Sequence, residues 1–292
     1  MRPVAALLAL TTAVAGPCFA AAEPLAANER GRVMILEYHK IDRPEGRWTR
    51  MPEHFRRDLG RLWERGYRLV ALNAYLDGTM ALPRGTSPVI LTFDDSSPGQ
   101  FRYLERSGTF IVDPDCAVGI LEAFEREHPE FGHAATFYVL PGADPPNRLF
   151  DQPALATRKL QYLASRGYEI GNHTLWHANL SRYPELVVRE QIAQAQRWIQ
   201  RHVPGYRPRT LALPMGAYPR VVTWAAVGGV NGSSYRHDGI LMVSGGPAPS
   251  PSATSFDRYR LPRIQAIESE IDRWLAHFDR HPEERYVSAG PR

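Results

Sequence analysis

Asp94 and Asp95 are adjacent carboxylates at the end of the apolar run Val89-Ile90-Leu91-Thr92-Phe93, and the turn-forming sequence Ser96-Ser97-Pro98-Gly99 follows them. Neighbours inside a strand point to opposite faces, so both acids serve one site only where the strand ends and the chain re-aims them. His173 and His177 lie four residues apart in His173-Thr174-Leu175-Trp176-His177, directly after the strand-like run Tyr168 to Asn172. If that segment starts a helical turn, both rings share a face suited to one divalent metal. Two histidines and one carboxylate leave coordination positions open for water and substrate, as in catalytic rather than structural zinc sites. A metal held this way polarises a carbonyl and activates water, which suits hydrolysis of an amide or ester, and leaves the other Asp as a base.

Elements of alternating type must bring these residues together. Val33 to His39 reads as a strand ending in an imidazole. Pro52 then opens a helix with Phe55, Leu59, Leu62 and Trp63 on one face, closed by Gly66. Strands are expected at Tyr67 to Val70, at the acid-bearing run, and at Ala134 to Leu140, with helices at Ala117 to His128 and Pro153 to Ser165. A long helix from Pro184 to about Arg201 precedes strands at Leu211 to Leu213, Ile240 to Val243 and Tyr259 to Ile264. The Pro/Ser/Gly-rich segment Gly245 to Ser252 reads as a surface loop, and Ile267 to Phe278 as a last amphipathic helix. About seven strands alternating with helices predict a parallel α/β fold, with an open doubly wound sheet as the alternative to a barrel. A barrel would collect His39, Asp94, Asp95, His173, His177 and the turn Pro214-Met215-Gly216 on its C-terminal face. No internal repeat and no glycine-rich phosphate loop is present.

The 292 residues, 43% of them hydrophobic, suffice for one large core, and no break in composition argues for two domains. The start, Met1-Arg2-Pro3 followed by apolar Val4 to Val14 and small residues to Ala21, predicts a secretory signal peptide over residues 1–20 and a single domain over 21–292. Export to the periplasm or beyond follows as an expectation. Cys116 would then be the only cysteine of the mature chain, so no internal disulfide can form. The net charge of +4 is modest and the arginines are scattered among acids, which argues against nucleic-acid binding. No later apolar run is long enough to span a membrane.

Thr92-Phe93-Asp94-Asp95 and His173-Thr174-Leu175-Trp176-His177 resemble the first and second motifs of the NodB-homology polysaccharide deacetylases, carbohydrate esterase family 4. The resemblance runs from about Val33 to Ile264. It implies a distorted (β/α) barrel and metal-dependent removal of N-acetyl groups from a glycan containing N-acetylglucosamine. Carried over, Asp94 is the general base, Asp95, His173 and His177 bind the metal, most simply Zn2+, and Thr174 holds the motif loop by a hydrogen bond. The family's third motif, Arg-x-Pro-Tyr, is replaced by Ala212-Leu213-Pro214-Met215, so the arginine that orients the base is missing there. Arg263 in Leu261-Pro262-Arg263-Ile264 is the expected substitute. The late Leu-x-His motif that normally carries the acid finds only Leu275-Ala276-His277, within an amphipathic helix. Leu36-Glu37-Tyr38-His39 instead resembles the N-terminal Tyr-His motif of a permuted branch, which implies that His39 is the acid.

Two other readings share these residues. The same site could hydrolyse O-acetyl esters, and a degenerate barrel without the third-motif arginine and the late histidine could bind a glycan without turnover. Trp176 and Tyr138 are expected in the core or pocket wall, and Cys116 as an inert thiol before a helix.

Overall fold

A computed structural model describes residues 25–291. The expected leader, residues 1–20, lies outside them.

Seven parallel strands close on one another. They are β1 (Met34–Tyr38), β2 (Ser87–Phe93), β3 (Thr136–Val139), β4 (Glu169–Asn172), β5 (Thr210–Ala212), β6 (Gly239–Gly245) and β7 (Leu261–Gln265). Neighbours in sequence are neighbours in space all the way round. The ring closes where β1 pairs with β2 on one side and β7 on the other. A short strand, Tyr67–Leu69, lies beside the first half of β2, while β3 takes the same edge further along. Helices α1 (Pro52–Glu64), α2 (Leu72–Asp77), α3 (Ala117–Glu127), α4 (Ala156–Ser165), α5 (Glu185–His202), α6 (Thr223–Ala226) and α7 (Glu268–Arg280) complete the order. Among the described residues no helix is long and apolar enough to cross a membrane.

Alternation along the strands divides the core. Met34, Leu36 and Tyr38 of β1 and Val89, Leu91 and Phe93 of β2 pack outward against Phe55, Leu59 and Leu62 of α1 and Ile271, Leu275 and Phe278 of α7. Ile35, Ile90, Tyr138, Ala212, Leu241 and Leu261 form a separate cluster, the barrel lumen. The same parity carries Glu37, Thr92, Asp94 and Arg263 into the lumen one layer higher, toward the C-terminal ends of the strands. The apolar floor therefore gives way to a polar upper layer, and that switch positions the site.

The lower end is closed by segments near the two ends of the described residues. Asn28 pairs with Val287, Arg32 with Arg285 and Val33 with Ala248, and the Ser288 backbone N–H donates to Thr86. Ala248 is thereby buried, with Gly246 and Pro247, so the middle of the expected surface loop Gly245 to Ser252 is an interior plug. Its composition is that of a loop, but the Val33 and Ala248 backbones exchange hydrogen bonds at 2.8 Å in each direction. The last barrel strand begins at Leu261 rather than Tyr259. Two hairpins outside the barrel were not anticipated: Tyr103–Arg106 with Thr109–Val112, and Val227–Val230 with Ser233–Arg236.

Candidate active site

β2 ends by splitting its two acids. Asp94 keeps the strand's parity, and its backbone N–H donates to the Tyr38 carbonyl at 2.9 Å. Asp95 and Ser96 take left-handed backbone angles, φ 76° and 44°, which swing the second carboxylate back over the barrel mouth. Ser96 anchors that turn: its hydroxyl donates to the Asn147 carbonyl at 2.7 Å and accepts from the Leu140 N–H at 3.0 Å. The expected re-aiming at the strand end thus has a defined cause.

His173 and His177 converge without the helical turn that their spacing suggested. The segment is irregular, with Thr174 at φ 68° and His177 at φ 66°. Asn172 at the end of β4 sets up the bend, accepting from the Thr174 N–H at 2.8 Å and donating to the Ile192 carbonyl at 3.0 Å. Thr174 holds the loop as expected, its hydroxyl accepting from the Ala178 N–H at 3.1 Å. His173 Nδ1 lies 2.9 Å from the Ala212 carbonyl and donates to it, which leaves Nε2 free to act as a ligand.

Asp95 Oδ1 stands 3.3 Å from His173 Nε2 and 3.4 Å from His177 Nε2. Donors bonded at about 2.0–2.1 Å to one tetrahedral ion sit about 3.4 Å apart, so the triad has the right span for a metal. Asp95 Oδ1 is also buried with no hydrogen-bond partner, the state expected of an oxygen reserved for a cation. Burial works to raise the Asp95 pKa, but the nearness of His173, then of His39 and His177, holds it well below the usual range. Burial depresses His173, yet Asp94 and Asp95 outweigh it and raise its pKa. The carboxylates that draw a proton onto this imidazole are those that would draw a metal ion in its place.

Asp94 is bound differently. Arg263 reaches from β7 and donates Nη1 to Oδ1 at 2.8 Å and Nη2 to Oδ2 at 2.7 Å, a bidentate pair with no exposed surface on the arginine. Arg263 Nε donates to the Met242 carbonyl at 2.6 Å, and Nη1 also reaches the Thr92 hydroxyl at 3.1 Å, so the fork cannot turn away. Burial would raise the Asp94 pKa, but the charge of Arg263, then of His173, and the Arg263 hydrogen bonds bring it below its ordinary value. Asp94 Oδ2 is 4.0 Å from His173 Nε2, which sets the ionised carboxylate beside the donor triad.

His39 follows β1 into the same mouth, with its donor atom within 4.8 Å of those of Asp94 and Glu37. Its ring lies 4.6 Å from that of Trp48, and burial lowers its pKa. His277 is elsewhere, on the surface of α7, 2.8 Å from Glu284. Tyr138 is fully buried in the lumen as expected, donating to the Thr210 hydroxyl at 2.8 Å. Trp176 is not core: it is 49% exposed beside the site because the irregular loop turns it outward. Cys116 caps α3, buried, with its thiol pushed up to about 11 by that burial.

The structure therefore gathers all six expected residues, His39, Asp94, Asp95, His173, His177 and Arg263, at one end of the barrel. The expectations passed over two contributors. Asn172 had a signal, an Asx residue directly before the histidine motif. Glu37 had another, a single charge within the otherwise apolar strand Met34–Tyr38.

The C-terminal mouth of the closed parallel barrel thus carries a mixed imidazole and carboxylate triad. Residues 82–228, half of the chain, match the polysaccharide deacetylase family model, and the chain belongs to that family. It is 28% identical over 138 residues to a chitooligosaccharide deacetylase from a Bradyrhizobium species, an alignment covering 47% of this chain. The chain spans about half the length of that curated relative. Among solved structures, the fold is similar to the Streptococcus pyogenes deacetylase PplD in complex with acetate, with a TM-score of 0.62 and 16% identity over 85% of this chain and 98% of that one. A polysaccharide deacetylase from Bacillus cereus gives a TM-score of 0.61 and 18% identity over 85% and 69% of the respective chains.

Proposed function

We propose that this protein is an exported, metal-dependent hydrolase that removes N-acetyl groups from a polysaccharide containing N-acetylglucosamine. The observation that carries the reading is the buried Asp95 Oδ1, without a hydrogen bond and 3.3 and 3.4 Å from two imidazole nitrogens, next to a carboxylate that Arg263 keeps ionised. Asp95, His173 and His177 would hold the ion. Two nitrogens and one oxygen suit zinc, and the carbonyl contact of His173 fixes the tautomer that ligation needs. When bound, such an ion supplies Lewis-acid polarisation of the acetyl carbonyl and eases deprotonation of water.

The chain's own residues do the rest. Asp94 accepts a proton from the attacking water, and its fixed fork with Arg263 keeps it unprotonated and aimed. His39 gives a proton to the sugar nitrogen as the C–N bond breaks, releasing acetate and a free amine. An amine leaves poorly unless protonated, so a histidine in the mouth favours amides over acetyl esters. The reading as a degenerate glycan-binding barrel rested on the lost third-motif arginine and late histidine; the fork of Arg263 on Asp94 and the place of His39 in the mouth speak against it. The glycan class is supported by the chitooligosaccharide relative, and export by the sequence of residues 1–20.

The test is acetate release from N-acetylglucosamine oligomers by the mature protein, with and without chelator and added zinc. Release that depends on metal and disappears in Asp95→Ala is expected, together with a zinc-induced rise in Tm that Asp95→Ala lacks. A zinc-loaded protein that releases no acetate from any amide would overturn the proposal.

A further inference from the structure

Glu37 sits in the upper lumen with no exposed side-chain surface, and neither of its carboxyl oxygens has a hydrogen-bond partner. Its Oε1 lies 3.6 Å from His39 Nε2 and 3.4 Å from Arg263 Nη2. A buried carboxyl placed between a general acid and the guanidinium that clamps the base is not needed to fill space, since an apolar residue would do that without the desolvation penalty.

The geometry points to Glu37 as the proton store of His39, a positioning residue that acts on the leaving amine only through that histidine. This rests on the deacetylase reading above. The groups facing the pair are Arg263 from β7, Asp94 and Asp95 from the end of β2, and His173 from the end of β4. Burial is the largest influence on both members, and it acts in opposite senses: it raises Glu37 well above the usual carboxyl range and lowers His39. Both shifts favour the proton on the carboxyl over the imidazole, so the shared proton is stored at Glu37 and His39 draws on it for the one it delivers.

The relay balances. As the C–N bond breaks, the His39 Nδ1–H bond breaks and an N–H bond forms on the departing nitrogen. At the same time the Glu37 O–H bond breaks and an N–H bond forms at His39 Nε2, leaving a carboxylate that Arg263 neutralises. Asp94 meanwhile holds the proton taken from water, and return of that proton to solvent, with uptake of one by Glu37, resets the site. Closing 3.6 Å to a hydrogen bond of about 2.8 Å needs a side-chain shift of less than about 1 Å.

The experiment compares two leaving groups in wild type and Glu37→Gln, an isosteric change that removes the transferable proton. N-acetylglucosamine tetramer releases an amine that must be protonated, whereas p-nitrophenyl acetate releases a phenolate that need not be. Glu37→Gln is expected to lower kcat for the tetramer by about 100-fold at unchanged KM, and to leave kcat for the ester within about twofold. Glu37→Asp, which keeps the proton on a shorter arm, should recover part of the tetramer activity. Equal losses on both substrates would make Glu37 a structural residue and overturn the relay, as would full tetramer activity in Glu37→Gln. Wild-type protein that turns over the ester but not the tetramer would instead overturn the deacetylase reading and the relay with it.

Discussion

A guanidinium with no exposed surface, giving two parallel hydrogen bonds to one carboxylate, fixes that carboxylate's rotamer and its charge together. Lysine cannot reproduce the planar fork, so Arg263→Lys should keep the fold yet lower kcat on an N-acetylated oligomer at least about 10-fold. Arg263→Leu should do worse, because it strands Asp94 as an unpaired buried charge. Its stability should fall by about 3–5 kcal/mol in urea unfolding, and an unchanged transition would show that Asp94 does not depend on the pair. Residues of this kind were legible in sequence wherever they crowd at strand ends, as Asp94 with Asp95 and His173 with His177 do. Glu37 was harder to see because its meaning lies in parity: it shares the inward face of β1 with Ile35, and only the closed barrel shows what it faces.

At the scale of elements, periodicity located most of the helices and strands, because each buries one coherent face. It failed where backbone conformation rather than burial decides. The hairpins turn at Ser107-Gly108 and Asn231-Gly232, each with both residues at positive φ, a two-residue turn matched to strand twist. Asn231-Gly232 was a readable signal, obscured by the lack of alternation in the flanking strands. The histidine segment failed in the other direction, since its spacing suggests a helix while Asn172 and two left-handed residues make an irregular loop. Between elements, α1 is pinned by Asp58, which accepts from Arg50 at 2.9 and 2.6 Å and from the Tyr38 hydroxyl at 3.1 Å. Arg50 also reaches Glu45 and, on α7, Glu268. Asp58→Ala leaves Arg50 buried without its main partner. We expect a loss of about 3–5 kcal/mol by urea unfolding; a change below about 1 kcal/mol would show that Glu45 and Glu268 suffice.

The whole molecule carries a titratable load outside the site. His237 is fully buried, its Nδ1 donating to the Ala225 carbonyl at 2.8 Å and its Nε2 without a partner. Burial brings its pKa down to about 4, against about 6.5 in an unfolded chain. The folded state therefore refuses a proton that the unfolded state accepts. The stability linked to this group is fully present above about pH 6.5 and is lost as pH falls toward about 4, amounting to about 3 kcal/mol. Unfolding free energies at pH 7.5 and 4.5 should differ by about 2–3 kcal/mol less in His237→Gln than in wild type; equal differences would mean that His237 titrates alike in both states.

The pairing of Asn28 with Val287 and Arg32 with Arg285 at the floor has a consequence for how the molecule faces its surroundings. Both ends of the described residues lie at the face opposite the mouth that holds the candidate site. An attachment at either end of the described residues, to a surface, a carrier or a label, would leave the mouth facing outward, and pulling on those two ends would load the floor before it reached Asp95, His173 and His177.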